Sequence, residues 1–160
     1  MTPNRLLEFY TDGAYSSKSE MGGWAAIGLE NNEKFFENKG YEPYTTNNRM
    51  ELQAVLAVLE YINSIYKETP SLIVNLYTDS AYIANAFNDL WYLKWLSNGW
   101  KTADKKDVKN QDLWSRIITL YIKFKDALKL KIVKVASHKD NEYNNYVDKL
   151  AVEQRKLLED

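Results

Sequence analysis

Apolar residues fall in two distinct rhythms along the chain. Residues 6–11 (LLEFYT) form a short apolar and aromatic run that stops at Asp12-Gly13, the pattern of a buried strand followed by a turn. Gly22-Gly23 introduces WAAIGL at 24–29, and KFFENKGY follows at 34–41 after a polar turn at 30–33, so these runs read as a hairpin. From Asn48 the period changes. Leu52, Val55, Leu56, Leu59, Ile62 and Tyr66 recur at three- and four-residue spacing, which predicts a long amphipathic helix with Thr46 and Asn47 as N-cap candidates and Pro70 as its stop. LIVNLYT at 72–78 is a continuous apolar run with β-branched residues, a buried strand that delivers Asp79 at its C-terminal end. A short helix is expected from about Ser80, an irregular stretch over 91–110 and a helix over 112–128. An alternating strand, LKIVKVA at 130–136, and a closing helix over 144–158 complete the pattern. Three hairpin-type strands followed by helix, strand, helix, strand and helix predict an α/β layer architecture with no repeat or linker.

Composition narrows the chemistry more than the fold. At 160 residues, 45% hydrophobic and 27% charged, the chain has the size and balance of one globular domain, and its 14% aromatic content argues against disorder. The absence of cysteine excludes a disulfide framework, a thiolate nucleophile and Cys-ligated zinc. A single histidine excludes multi-His metal sites, which leaves carboxylates and hard cations, with Mg or Mn expected. The N-terminal MTPNRLLEFYTDG has no basic patch followed by an apolar stretch, and no apolar run reaches the roughly 18 residues of a membrane span, so a cytoplasmic protein is expected.

Charge is balanced overall at -1 but uneven along the chain. Residues 1–80 carry 6 Lys/Arg against 11 Asp/Glu, net -5, and residues 81–160 carry 15 against 11, net +4. Between Lys94 and Lys134, 11 basic residues face 4 acidic ones, giving +7 and leaving -8 elsewhere. Such a stretch is able to bind a polyanion locally although the whole chain is nearly neutral; it is equally the pattern of a solvated lysine-rich face.

Four acids stand where an α/β fold is able to gather them. Asp12 ends the first predicted strand, Asp79 ends the fourth, Glu51 lies in the first turn of the long helix and Asp148 lies on the last helix. If the first and fourth strands are neighbours, these carboxylates converge. Clustered carboxylates raise one another's pKa unless cations neutralise them, and two Mg ions about 4 Å apart suit an in-line phosphoryl displacement by water. The competing reading is that these acids cap helices or pair with helix dipoles.

The strings around the acids carry more information. TDG (11–13), TNNRMEL (46–52), YTDS (77–80), GWKTADKK with VKN and DLW (99–114) and a closing His, Asn, Asp spacing follow one another in order. In these motifs, over nearly its whole length, the sequence resembles the ribonuclease H family, type 1 bacterial branch. The resemblance implies a five-stranded mixed sheet, first three strands antiparallel, with helices on both faces. It implies a single catalytic domain over 1–160 with no accessory hybrid-binding domain, acting as a monomer in the cytoplasm. The implied activity is sequence-independent hydrolysis of the RNA strand of RNA/DNA hybrids by a two-metal-ion mechanism, with Mg ions (Mn as substitute), leaving 5'-phosphate and 3'-hydroxyl ends. Asp12, Glu51, Asp79 and Asp148 match the family's metal-binding catalytic acids.

Other positions follow from the same resemblance. His138, ten residues before Asp148, matches a mobile-loop histidine, and its near-neutral pKa suits proton relay or product departure. Asn144 matches a position that contacts RNA near the metals. Asn47 and Asn48 match minor-groove positions, where amides suit the 2'-hydroxyl. Thr46 and Asn110 match a pocket for a DNA phosphate, with Arg49 or a lysine nearby. Trp91, Trp95 and Trp100, with Lys94, Lys101, Lys105, Lys106 and Lys109, resemble a basic protrusion that grips the hybrid; the tryptophans also suit a plain core role. Two departures stand out: AYSSKSEMGG replaces a glycine- and proline-bearing loop after Asp12-Gly13, and Leu96, Ser97 and Asn98 stand where relatives often carry basic residues. Intact catalysis and modest hybrid affinity are expected. The alternatives are a same-fold DNA nuclease or strand-transfer domain, and a non-catalytic hybrid-binding module.

Overall fold

A computed structural model describes residues 5–66, 72–136 and 141–159. Its strands are β1 (Arg5–Tyr15), β2 (Gly22–Glu30), β3 (Glu33–Glu42), β4 (Leu72–Thr78) and β5 (Lys131–Lys134). Its helices are α1 (Asn47–Ile65), α2 (Ala81–Asn88), α3 (Trp91–Asn98), α4 (Gln111–Phe124) and α5 (Glu142–Lys156). The strands form one sheet in the order β3-β2-β1-β4-β5. β1, β2 and β3 pair antiparallel, whereas β4 lies parallel to both β1 and β5, so the expected mixed sheet is present. Asn31 and Asn32 join β2 to β3 with φ of 54° and 64°, the left-handed pair that a two-residue hairpin of native twist requires.

Side-chain alternation sorts the sheet into two faces. Leu7, Phe9 and Ala26 join the buried face of α1, with Leu52, Val55, Leu59 and Ile62, and the core continues through Trp114 and Ile117 of α4. Each fully buried Leu or Ile there contributes roughly 1.5–3 kcal/mol. Ala14, Ala25 and Ile27 meet Val147, Leu150 and Ala151 of α5 in a second cluster, with Tyr10 packed against it. Helices therefore cover both faces. Gly23 makes the second packing possible, because a Cβ there would stand 2.2 Å from the Ala151 carbonyl oxygen and 2.5 Å from Arg155 N. Among the described residues, no helix is long and apolar enough to cross a membrane.

Several boundaries differ from the sequence pattern. β1 continues past Thr11 to Tyr15, since Asp12, Gly13, Ala14 and Tyr15 stay paired with Ala25, Trp24, Gly23 and Gly22; Asp12 thus lies within the strand rather than at its end. The stretch expected to be irregular over 91–110 begins with α3, whose inward residues are Tyr92 and Trp95. Helix α4 stops at Phe124 rather than 128; α5 starts two residues earlier than expected, where Asn141 caps it, and also ends two residues earlier. That cap makes Asn141–Asn145 the beginning of a helix. β5 is shorter than 130–136.

Candidate active site

The parallel pairing of β1 with β4 sets the geometry. Tyr10 and Tyr77 are register partners, and Asp12 and Asp79 each follow two residues later, so the two acids emerge side by side. α1 brings the third. Gly13 lets it approach: a Cβ there would fall 2.5 Å from Glu51 N and 2.7 Å from the Met50 carbonyl carbon. Ligand oxygens of Asp12, Glu51 and Asp79 consequently lie within 4.8 Å of one another. Asp148 of α5, more exposed, lies outside that trio but close enough to Asp12 to raise its carboxyl pKa.

This arrangement is electrostatically costly on its own. Asp12 and Glu51 are 2% and 4% exposed. Burial, then the charges of Glu51 and Asp79, push the Asp12 carboxyl well above the usual carboxylate range. Burial and Asp79 likewise push Glu51 up, while the Gly13 backbone N–H partly offsets this. Asp12 Oδ1 accepts a hydrogen bond from Gly13 N at 2.9 Å, which fixes the carboxylate plane. Glu51 Oε2 is buried and has no hydrogen-bond partner. A buried, all-oxygen, surplus-negative group with an orphaned oxygen fits a hard divalent cation.

Capping does not account for these acids. The N-terminal side-chain caps are Thr46 for α1, Ser80 for α2 and Asn141 for α5, accepting from Arg49 N, Ile83 N and Asn144 N. Glu51 lies just past the first turn of α1, not within it as the sequence pattern suggested, because the helix begins at Asn47; it is poorly placed as a dipole partner.

A groove of about 770 Å³ lies beside this cluster's supporting helix α1, and Thr46, Asn48, Trp91, Lys94, Trp95, Lys101, Lys106, Lys109 and Asn110 line it. Asn47 is exposed in the first turn of α1 but does not line the groove, and neither does Lys105. The Lys101 ammonium is paired with Asp107 across a small loop. Trp95 is a core residue, stacked on Trp100 at 6.1 Å and set edge-on to Trp114 at 5.1 Å, so the core reading holds for it while part of the ring still walls the groove. Trp91 and Trp100 are half-buried against the same core. Asn144 is buried at the start of α5. His138 lies outside the described residues.

Some residues of this region carried no sequence signal. Glu42 and Asp112 both hold the Arg49 guanidinium, which therefore faces protein carboxylates. Asp112 sits in the DLW string, yet nothing in its spacing pairs it with Arg49. Tyr10 stacks on Tyr77 at 4.7 Å and approaches Tyr143 at 5.4 Å, tying β1, β4 and the start of α5 together beside Asp12. The loop 16–20 closes on itself through Glu20 N to Ser16 O, and Glu20 O accepts from Thr45 N.

Comparison with known proteins agrees with this geometry. The family model described as RNase H matches residues 4–156. A ribonuclease H of Caldanaerobacter subterraneus subsp. tengcongensis is 44% identical over 96% of this chain and 93% of its own length. One from Chlorobium phaeobacteroides is 47% identical over 89% of this chain and 90% of its own. Among solved structures, LC9-RNase H1, a type 1 RNase H with the type 2 active-site motif, superposes with a TM-score of 0.77 at 23% identity, over 98% of this chain and 74% of that one. LC11-RNase H1 in complex with RNA/DNA hybrid gives 0.72 at 18% identity, over 96% and 99%. These two likenesses establish the shared fold.

Proposed function

The chain belongs to the ribonuclease H family, and from that premise we propose that it hydrolyses the RNA strand of RNA/DNA hybrids using divalent cations held by Asp12, Glu51, Asp79 and Asp148. The observation that carries this reading is the convergence of Asp12, Glu51 and Asp79 within 4.8 Å around a buried, unpartnered Glu51 oxygen. When bound there, two Mg ions, or Mn in their place, supply an activated water and neutralise charge on the scissile phosphate.

The chain's own residues do the rest. Glu51 and Asp12, buried and fixed by Gly13, hold their oxygens in place before substrate arrives, so little reorganisation is needed during reaction. Asp79 and the more exposed Asp148 complete the donor set from the solvent side. Asn47 and Asn48 offer amides to 2'-hydroxyls, which distinguish RNA from DNA. Thr46, Asn110, Lys106 and Lys109 present donors and charge to backbone phosphates, and Trp91 presents a ring face. Asn144 contributes an amide to the RNA strand, and His138 serves proton relay or product departure. The products are 5'-phosphate and 3'-hydroxyl ends. We take the protein to act as a single-domain monomer in the cytoplasm.

The decisive test is Mg-dependent cleavage of a labelled hybrid beside duplex DNA, duplex RNA and single-stranded RNA. Cleavage of the RNA strand of the hybrid alone, lost in both Asp12→Asn and Asp79→Asn, is the expected outcome. Cleavage of duplex DNA would instead support the same-fold DNA nuclease. Binding of hybrid without cleavage in Mg or Mn would support a binding module.

A further inference from the structure

Arg49 has surroundings that do not suit direct contact with a phosphate. Its Nε donates to both Glu42 oxygens at 3.2 and 3.3 Å, and Nη2 donates to Asp112 Oδ2 at 2.8 Å. Nη1 donates to Asp112 Oδ1 at 3.1 Å and to Asn110 Oδ1 at 3.3 Å. One guanidinium against two carboxylates leaves this cluster net negative, so Arg49 offsets part of their charge without turning the cluster into a site that attracts an anion. Its contribution is orientation. Arginine has donors and no acceptor, so the Asn110 atom that faces it has to be the oxygen. The amide's NH2 end is thereby turned away from Arg49, on a residue that lines the groove with Thr46, Lys106 and Lys109.

Two features of Asn110 agree with a role other than capping. It occupies the N-cap position of α4, yet its side chain makes no capping hydrogen bond, and its oxygen accepts from Arg49 instead. Its backbone is left-handed, with φ of 60°, and its carbonyl is locked by Leu113 N at 3.1 Å and Trp114 N at 2.9 Å. Side chain and backbone are thus both constrained at a residue facing the groove, the pattern of local strain held in place at a working site.

We propose that Arg49 is a positioning residue: by holding Oδ1 of Asn110 it fixes the amide so that Nδ2 donates to a backbone phosphate of the bound hybrid. The inference rests on the hybrid-cleaving reading and adds a division of labour within it. Lys106 and Lys109 supply the charge, Asn110 supplies the directed donor, and Arg49 acts only through Asn110.

A double-mutant cycle tests it on the full chain, with hybrid affinity measured by fluorescence anisotropy in EDTA and kcat and KM measured in Mg. Arg49→Lys keeps the charge but not the fork that reaches both Asp112 and Asn110. Arg49→Lys and Asn110→Ala are each expected to weaken binding about tenfold, with the loss in KM rather than kcat, and the double variant to bind no worse than Asn110→Ala. Losses that multiply to about a hundredfold would overturn the proposal, as would wild-type affinity in Arg49→Lys. Should Arg49→Lys fail to fold, Asp112→Asn decides the matter, since it loosens the guanidinium that holds Asn110 Oδ1 while removing a negative charge that would by itself oppose phosphate binding. Tenfold weaker binding supports the proposal and unchanged binding overturns it. Wild-type protein that neither binds nor cleaves hybrid would overturn the underlying reading as well, whereas an active wild type with independent losses would overturn this inference alone.

Discussion

Asp12 shows how a residue of the proposed site acts against the fold. Its carboxyl is buried among like charges, and its folded pKa lies above the value of about 3.9 expected in the unfolded chain. For an acid shifted in this direction, the penalty is absent below the unfolded pKa. It grows as pH rises and the unfolded chain ionises, and levels off above the folded pKa. Metal-free protein is therefore expected to lose stability between about pH 4 and neutrality through this group, and Asp12→Asn is expected to remove much of that loss. At pH 7 without metal, thermal unfolding should show the variant stabilised by more than about 1 kcal/mol, roughly 2–4 °C for a chain of this size. Added Mg should raise the Tm of the wild type and leave that of the variant nearly unmoved. A variant less stable than wild type in EDTA would contradict the account of the cluster as a strained, metal-seeking group.

At the scale of elements, the docking of α5 depends on a single missing side chain. Gly23 brings the helix backbone against β2, and Gly23→Ala would place a methyl carbon 2.2 Å from the Ala151 carbonyl oxygen, with no flexible side chain to yield. The helix has to move outward, at a cost of about 1–3 kcal/mol by analogy with overpacked cores. Chemical denaturation should show that loss, and kcat should fall with it, because α5 carries Asp148. Unaltered stability would mean that α5 is held less closely than its packing indicates. Most elements were legible in the sequence: the three-and-four spacing of Leu52 to Ile62 and the run Leu72–Thr78 name their structures outright. Helix α3 was not. At eight residues it spans about two turns, with Leu93 and Leu96 exposed among Lys94, Ser97 and Asn98, so a three-and-four repeat has no length over which to show. Its N-cap, Leu90, is also left-handed with no capping side chain. The carboxylates were legible from the motifs around them and from the parallel neighbours β1 and β4, although Asp12 lies inside its strand and Glu51 past the first turn of its helix. The ring of Glu42, Arg49, Asn110 and Asp112 was not, because it joins the end of β3, the start of α1 and the start of α4, which only the folded packing brings together.

For the whole molecule, charge is arranged rather than abundant. The net -1 combines a +7 stretch from Lys94 to Lys134 with -8 elsewhere, and the groove draws on the basic part through Lys94, Lys106 and Lys109. Phosphate contacts release counterions, so hybrid affinity should fall with salt. Lys106→Ala and Lys109→Ala are each expected to lower the slope of log K against log salt by about one. Lys101→Ala should change it less, because its ammonium is already paired with Asp107. Equal effects at all three positions would show that the loop pairing does not persist when hybrid binds. The four acids lie at positions 12, 51, 79 and 148, on β1, α1, at the end of β4 and on α5. That dispersal has a consequence for the life of the molecule: if the proposed donor set needs all four acids, the growing chain is harmless to nucleic acid during synthesis until its final helix docks, and a copy clipped before that helix is silent rather than uncontrolled.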